Sequence, residues 1–310
     1  MEQIEQEGQQ PRLIEVPNSG WDSRLRLFRA GDEVDTSVLV TDRYVVVIDT
    51  MAAPELAAAI IEMIHPSLAG RQLLVINTHA DYDHCWGNAL FAAPGGAYPA
   101  PIIAHEQARK RLHSEEARQY LAQRQQKASR FANVRLVAPT ITFTDSLLID
   151  GGDLTLELIP TPGHTEDHLS VWIPELRLLL AGDAAEQPFP YIEAAETLPI
   201  LRRSLKRLAA LNAATVIPCH GDTTDPALIT SNSAYFDEVE RHARAALASG
   251  LVPTDWRERA DIAEIISLPF EQALKNLGAD PAYSKDDMYR TFHRAAVRAT
   301  LAHLQQEAGR

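Results

Sequence analysis

From Leu13 to Gly221 short β-rich runs alternate with stretches of helical spacing, separated by turn residues, and this pattern predicts a mixed α/β fold. Ser37 to Val40 and Tyr44 to Ile48 are β-branched runs joined by Thr41-Asp42-Arg43, which predicts a hairpin. Leu73 to Asn77 reads as a buried strand because its apolar content is unbroken. Between them, Pro54 to Ile64 combines a proline at the first helical position with apolar residues at helical intervals. Two further hairpins are predicted, Leu147 to Ile159 turning at Gly151-Gly152-Asp153 and Leu169 to Ala181 turning at Pro174-Glu175, with Val216 to Cys219 as a last strand.

Three segments depart from this alternation. Leu201, Leu205, Leu208 and Leu211 follow helical spacing with Arg202, Arg203, Lys206 and Arg207 opposite, as in an amphipathic helix covering a sheet. His105 to Arg130 predicts one long polar helix that is locally basic, either a solvated face or a lid over a substrate. After Gly221 the pattern is helical throughout: Pro226 to Ser249, Asp255 to Ile266 and Lys285 to Gln306. No Gly/Ser-rich linker sets these helices apart, so they read as an extension packed on the β-rich part.

The chain of 310 residues is long enough for a substantial core. Lys plus Arg number 29 against 42 Asp plus Glu, a net charge of −13, which disfavours nucleic acid and anionic membrane surfaces as partners. Two cysteines make no disulfide framework and fit a reducing compartment. The start, MEQIEQEGQQPR, has neither a basic nor an apolar leader segment, and no run reaches the roughly 18 apolar residues of a membrane span. A cytoplasmic protein with no membrane partner is expected.

The candidate chemistry begins where the strand at Leu73 runs into His79, Asp81, Asp83 and His84. Imidazole plus carboxylate at the C-terminal end of a strand is a ligand set for zinc, iron or manganese. Three more ligand types end later strands: His164 in Thr-Pro-Gly-His-Thr, Asp183 in Leu-Ala-Gly-Asp-Ala and His220 in Ile-Pro-Cys-His-Gly. Glycine or proline at such ends lets the backbone turn sharply and project one side chain into a shared cleft. Cys85 and Cys219 adjoin these ligands but read as small buried hydrophobes facing away. Trp86, Gly87 and Asn88 are expected to pack and cap the helix that follows.

This ordered set resembles the metallo-β-lactamase fold superfamily of hydrolases, whose pattern is HxHxDH, a Gly-His-Thr turn, a Gly-Asp turn and a His ahead of Gly. The resemblance covers Ser37 to Gly221. It implies an α/β fold, an αββα metallo-β-lactamase-type sandwich with a C-terminal helical extension. The expected organisation is a disordered N-terminus over 1–12, the metallo-β-lactamase-like domain over 13–225 and the helical extension over 226–310. It further implies that His79, Asp81 and His164 bind a first metal and that Asp83, His84 and His220 bind a second, with Asp183 bridging. Asp83 would also hold the attacking hydroxide. Asp49 matches a position that orients a ligand imidazole from behind, and His168 is a candidate for the same outer role or for a hydrogen-bonded histidine at a strand start.

One ligand departs from the pattern: Asp81 stands where the family has its second His. The harder, more negative set moves preference toward iron or manganese, and a carboxylate at this slot resembles the flavodiiron branch, although a helical pattern follows Gly221 here. The expected cofactor is two divalent ions, zinc first, with iron or manganese admitted by Asp81. The expected activity is hydrolysis of a small ester-like substrate (thioester, lactone or phosphoester) by a metal-bridging hydroxide. The alternatives are an iron-dependent redox protein of the same fold or an inactive metal-binding member. A small-molecule substrate is the expected partner, and a homodimer is left open.

Overall fold

The structure, a computed structural model, describes residues 9–31, 34–192 and 194–309, so most of the predicted disordered start, residues 1–8, lies outside the described residues. The described residues form twelve strands and nine α-helices. The chain divides into two compact units. One runs to Pro160 and includes Asp167–Leu180; the other comprises Thr161–Glu166 and the chain from Ala181 on.

The first unit holds a seven-stranded sheet in sequential order: β1 (Leu13–Val16), β2 (Leu25–Ala30), β3 (Thr36–Val40), β4 (Tyr44–Ile48), β5 (Gln72–Ile76), β6 (Ile102–His105) and β7 (Ile141–Phe143). Strands β1 to β4 are an antiparallel meander, and β4 to β7 run parallel. The β3–β4 turn closes as its residues predict, with Thr41 N donating to Tyr44 O and Tyr44 N to Thr41 Oγ1. The parallel step from β4 to β5 needs a crossover, supplied by α1 (Pro54–Ile64). Its Leu56, Ile60, Ile61 and Ile64 are buried, each stabilising the unit by on the order of 2 kcal/mol.

A second sheet has the order β12-β11-β10-β9-β8, with β8 (Leu147–Asp150), β9 (Thr155–Pro160), β10 (Leu169–Ile173), β11 (Leu178–Gly182) and β12 (Thr215–Pro218). Both predicted hairpins are present. Every residue of β10 and β11 is buried, in keeping with a sequence that is apolar but for Ser170. Two sheets with helices, followed by a helical region, agree with the fold that the resemblance implied.

The helices bring corrections. After β5 comes the short α2 (Tyr82–Cys85) and a 3-10 turn over Trp86–Leu90. The single long helix predicted from His105 to Arg130 is two, α3 (Glu106–Leu112) and α4 (Glu115–Lys127). The break lies where Ser114 takes extended backbone and its Oγ accepts from Ala117 N, an N-cap that starts a second helix. In the second unit α5 (Leu198–Ala209) buries Leu198, Leu201, Leu205 and Leu208, while Leu211 lies beyond its end. The C-terminal helices are α6 (Ala227–Ala248), α7 (Ile262–Ile265), α8 (Phe270–Leu277) and α9 (Asp287–Ala308). The helix predicted over Asp255 to Ile266 contracts to the single turn of α7, and α8 was not foreseen. No helix among the described residues is long and apolar enough to cross a membrane.

Candidate metal centre

The ligand-type residues fall into two sets, one in each unit. In the first unit the parallel pair β4 and β5 ends on the same side, so Asp49 and the His79 to His84 segment emerge together. Asp49 N donates to Ile76 O at 2.8 Å, and Asp49 takes a left-handed backbone, φ 65°, which Asp tolerates better than most residues. Its buried carboxylate accepts from Thr78 N and Thr78 Oγ1, each at 2.7 Å, and from His84 Nδ1 at 2.8 Å. A carboxylate on Nδ1 fixes the proton there and leaves the lone pair of His84 on Nε2, the atom a metal uses. His84 Nε2 stands 3.9 Å from Asp83 Oδ2, His79 Nε2 stands 3.5 Å from Asp81 Oδ2, and the two imidazole centroids are 3.9 Å apart.

The loop's backbone is clamped. His84 O accepts from Thr50 N at 2.7 Å, from Thr50 Oγ1 and from Asn77 Nδ2. Gly87 N donates to Met51 O, and a Cβ at Gly87 would sit 2.0 Å from Thr50 O, so this approach requires glycine. Asn77 and Asn88 exchange side-chain amide bonds beneath the loop. His168 is buried with its ring 5.1 Å from that of His79, and the next residue, Leu169, donates its N–H to Thr78 O. Cys85 lies in an apolar cluster with Ala52, Trp86 and Phe131; burial, then the charge of Asp81, pushes its thiol up. Neither Cys85 nor Cys219 is in a disulfide.

Sequence reasoning passed over two residues here. Arg111 of α3 reaches out of the basic stretch to Asp81 Oδ1 and to Asp167 Oδ1, both at 2.5 Å, so it is not part of a merely solvated face. Asp167 is fully buried, and its other oxygen accepts from Ala80 N at 2.7 Å. Burial pulls the Arg111 guanidinium down, but Asp167 and Asp81 outweigh it and hold the group above its usual range.

In the second unit His164 sits on the turn after β9. Gly163 there has φ +140°, and a Cβ on it would lie 2.4 Å from Leu201 Cα of α5, whose Ser204 Oγ donates to Pro162 O. The helix thus fixes the turn that presents His164. His164 Nδ1 donates to Tyr191 O at 3.3 Å, again leaving Nε2 with the lone pair. Gly182 and Gly221, both at positive φ, turn the chain beside Asp183 and His220. Asp183 Oδ2 is 3.6 Å from His164 Nε2 and 3.5 Å from His220 Nε2, one oxygen set between two imidazoles.

The second unit also holds an unforeseen acid, Glu186, which is 2% exposed. Its Oε1 accepts from Tyr191 N and its Oε2 from the Tyr289 hydroxyl of α9, while Asn232 bonds its backbone on both sides. Burial first, then the charge of Asp183, pushes its carboxyl up to about 7, against opposing contributions from His220 and His164. Nothing in the local sequence Asp183-Ala-Ala-Glu186 marks it, because its partners lie up to 103 residues away. His293, for which the sequence offered no partner pattern, is a core histidine between the Tyr235 hydroxyl and Leu268 O, each at 2.8 Å.

Imidazole nitrogens whose other ring nitrogen is engaged, set beside carboxylate oxygens, are donors that suit a divalent cation of the zinc, iron or manganese type. The chain therefore carries residue groups fit to hold a metal ion.

Comparison with known proteins agrees. Over 77 residues the chain is 40% identical to the beta-lactamase-like protein 2 homolog of Caenorhabditis elegans, a match that spans 25% of each chain. The match thus covers about a quarter of that curated relative. A metallo-beta-lactamase family protein from Thermus thermophilus is 20% identical with a TM-score of 0.61, over 96% of this chain and 93% of the other. A metallo-beta-lactamase from Pontibacter korlensis is 18% identical with a TM-score of 0.53, over 72% and 98%. These structural likenesses speak for the fold. The model of the metallo-beta-lactamase superfamily matches residues 30–220, a span that contains every ligand-type residue described above, and the chain belongs to that superfamily.

Proposed function

We propose that this protein is a metal-dependent hydrolase that cleaves an ester-like bond, in a thioester, lactone or phosphoester, of a small molecule. On the family's ligand pattern His79, Asp81 and His164 would hold one divalent cation and Asp83, His84 and His220 a second, with Asp183 a ligand in common; zinc is the first expectation. Two such cations activate water near neutral pH and polarise the oxygen of the bond to be cleaved. The observation that carries the reading is the Asp49 carboxylate on His84 Nδ1, the outer-shell arrangement of metal-ligating imidazoles, set within a superfamily motif. Asp49 and Thr78 hold the imidazole in one tautomer, and Asp83 orients the attacking water. The net charge of −13 supports a small-molecule substrate rather than nucleic acid or membrane, and two cysteines in no disulfide support a cytoplasmic setting.

The test is elemental analysis of protein purified without added metal, followed by a panel of thioester, lactone and phosphodiester substrates. Two zinc or manganese ions per chain, with turnover lost on chelation and in His84→Ala and Asp183→Ala, is the expected result. Undiminished turnover in both variants refutes the assignment, and stoichiometric iron with visible absorbance favours redox chemistry instead.

A further inference from the structure

We propose that Arg111 is a positioning residue that makes Asp81 a one-oxygen ligand, standing in for the imidazole that the family's pattern has at this place. The inference rests on the metal reading above. An imidazole offers a metal one atom in a fixed direction, whereas a carboxylate that is one-third exposed, as Asp81 is, has a second oxygen able to chelate or to swing into water. Here the two oxygens are divided. Oδ1 is held by Arg111 Nη2 at 2.5 Å, and Oδ2 faces His79 Nε2 at 3.5 Å.

The guanidinium is itself fixed from behind. Its Nη1 is bound at 2.5 Å by Asp167, a fully buried carboxylate whose other oxygen takes the N–H of Ala80, the residue between His79 and Asp81. Asp167 therefore locks both the arginine and the backbone that carries the two ligands. A planar fork that gives one N–H to each of two carboxylates is a geometry lysine does not provide. Arg111 also draws charge toward Oδ1, so Oδ2 comes closer in donor strength to a neutral nitrogen and the preference for harder ions weakens.

Metal-free protein is titrated with zinc against a chromophoric chelator. The wild type is expected to take up two ions. Arg111→Met, which keeps the stem and removes the guanidinium, should weaken one of them by roughly 10- to 100-fold and leave the other unchanged. Adding Asp81→His should restore the lost affinity to within about threefold, since an imidazole needs no such restraint. If circular dichroism shows Arg111→Met unfolded, because Asp167 is left charged and buried, the same measurements are made with Asp167→Asn added to each variant. Unchanged affinity for both ions in the folded variant overturns the proposal, and so does a failure of Asp81→His to restore it. Should the wild type take up a single ion, weakening of that ion supports the proposal and indifference overturns it. A wild type that takes up no ion overturns the metal reading itself, before any variant is made.

Discussion

Replacing Glu186 by Gln should change how the stability of the metal-free protein depends on pH. In the folded chain burial and the charge of Asp183 raise this carboxyl from its ordinary 4.5 to about 7. Below pH 4.5 the group is neutral in both states and the shift has no effect. Between about 4.5 and 7 the folded chain keeps a proton that the unfolded chain releases, so stability falls as pH rises. Above 7 both states are ionised and the whole penalty is present. At roughly 1.4 kcal/mol per tenfold change in acidity, a rise from 4.5 to about 7 amounts to about 3 kcal/mol. Glutamine keeps the shape and both bonds, accepting from Tyr191 N through its oxygen and donating to the Tyr289 hydroxyl through its amide. Urea unfolding of wild type and Glu186→Gln with chelator present, at pH 5 and at pH 8, measures the effect. The stability of the variant relative to wild type should rise by up to about 3 kcal/mol between the two pH values, because groups common to both cancel in the difference. A difference that does not vary with pH refutes the reasoning.

Other expectations follow from single contacts. Asp49→Asn, which tolerates the same left-handed backbone, should lower zinc affinity roughly 10- to 100-fold by loosening the His84 imidazole, read by competition with a chelator; unaltered affinity argues against that role. Gly163→Ala combines a disfavoured backbone with a Cβ 2.4 Å from Leu201 Cα and should cost on the order of 2 kcal/mol or more in urea unfolding, so an unmoved midpoint would contradict the close approach of α5. His293→Leu strands the Tyr235 hydroxyl and Leu268 O in the core and should cost about 1 to 3 kcal/mol; a stability equal to wild type means those bonds contribute nothing.

The local parts of the fold were legible because local patterns determine them. Pro54 and the apolar spacing after it mark α1 from end to end, and Gly151-Gly152-Asp153 and Pro174-Glu175 mark their hairpins. The ligand-type residues were legible for a similar reason, His79, Asp81, Asp83 and His84 by their crowding within six residues and His164, Asp183 and His220 each by a glycine beside it after a strand. What stayed hidden depends on partners distant in sequence. Arg111 looks like any of the other basic residues between His105 and Arg130 until Asp167, 56 residues on, is seen beside it. Glu186 owes its raised carboxyl first to burial, which the packing of Tyr289 and Asn232 against it brings about from far along the chain, and Asp183 acts on it only once that burial is in place. The break between α3 and α4 was overlooked because Ser114 is as ordinary in a polar helix as it is effective as a cap, and α8 because Pro269 and Gly278 confine it to eight residues.

The carbonyl of His84 receives three donors from Thr50 and Asn77, and Gly87 brings the chain against Thr50 with no room for a side chain. The loop's conformational entropy is therefore lost when the chain folds, not when an ion arrives. On the metal reading proposed above, loading such a loop would be a mass-action increment on an existing native state, about 1.4 kcal/mol for each tenfold of free ion above the dissociation constant. Such a protein would differ from small zinc domains, in which removing the ion removes the fold. A chelator should empty this loop and leave it standing, with the amides of Thr50 and Gly87 still slow to exchange with solvent.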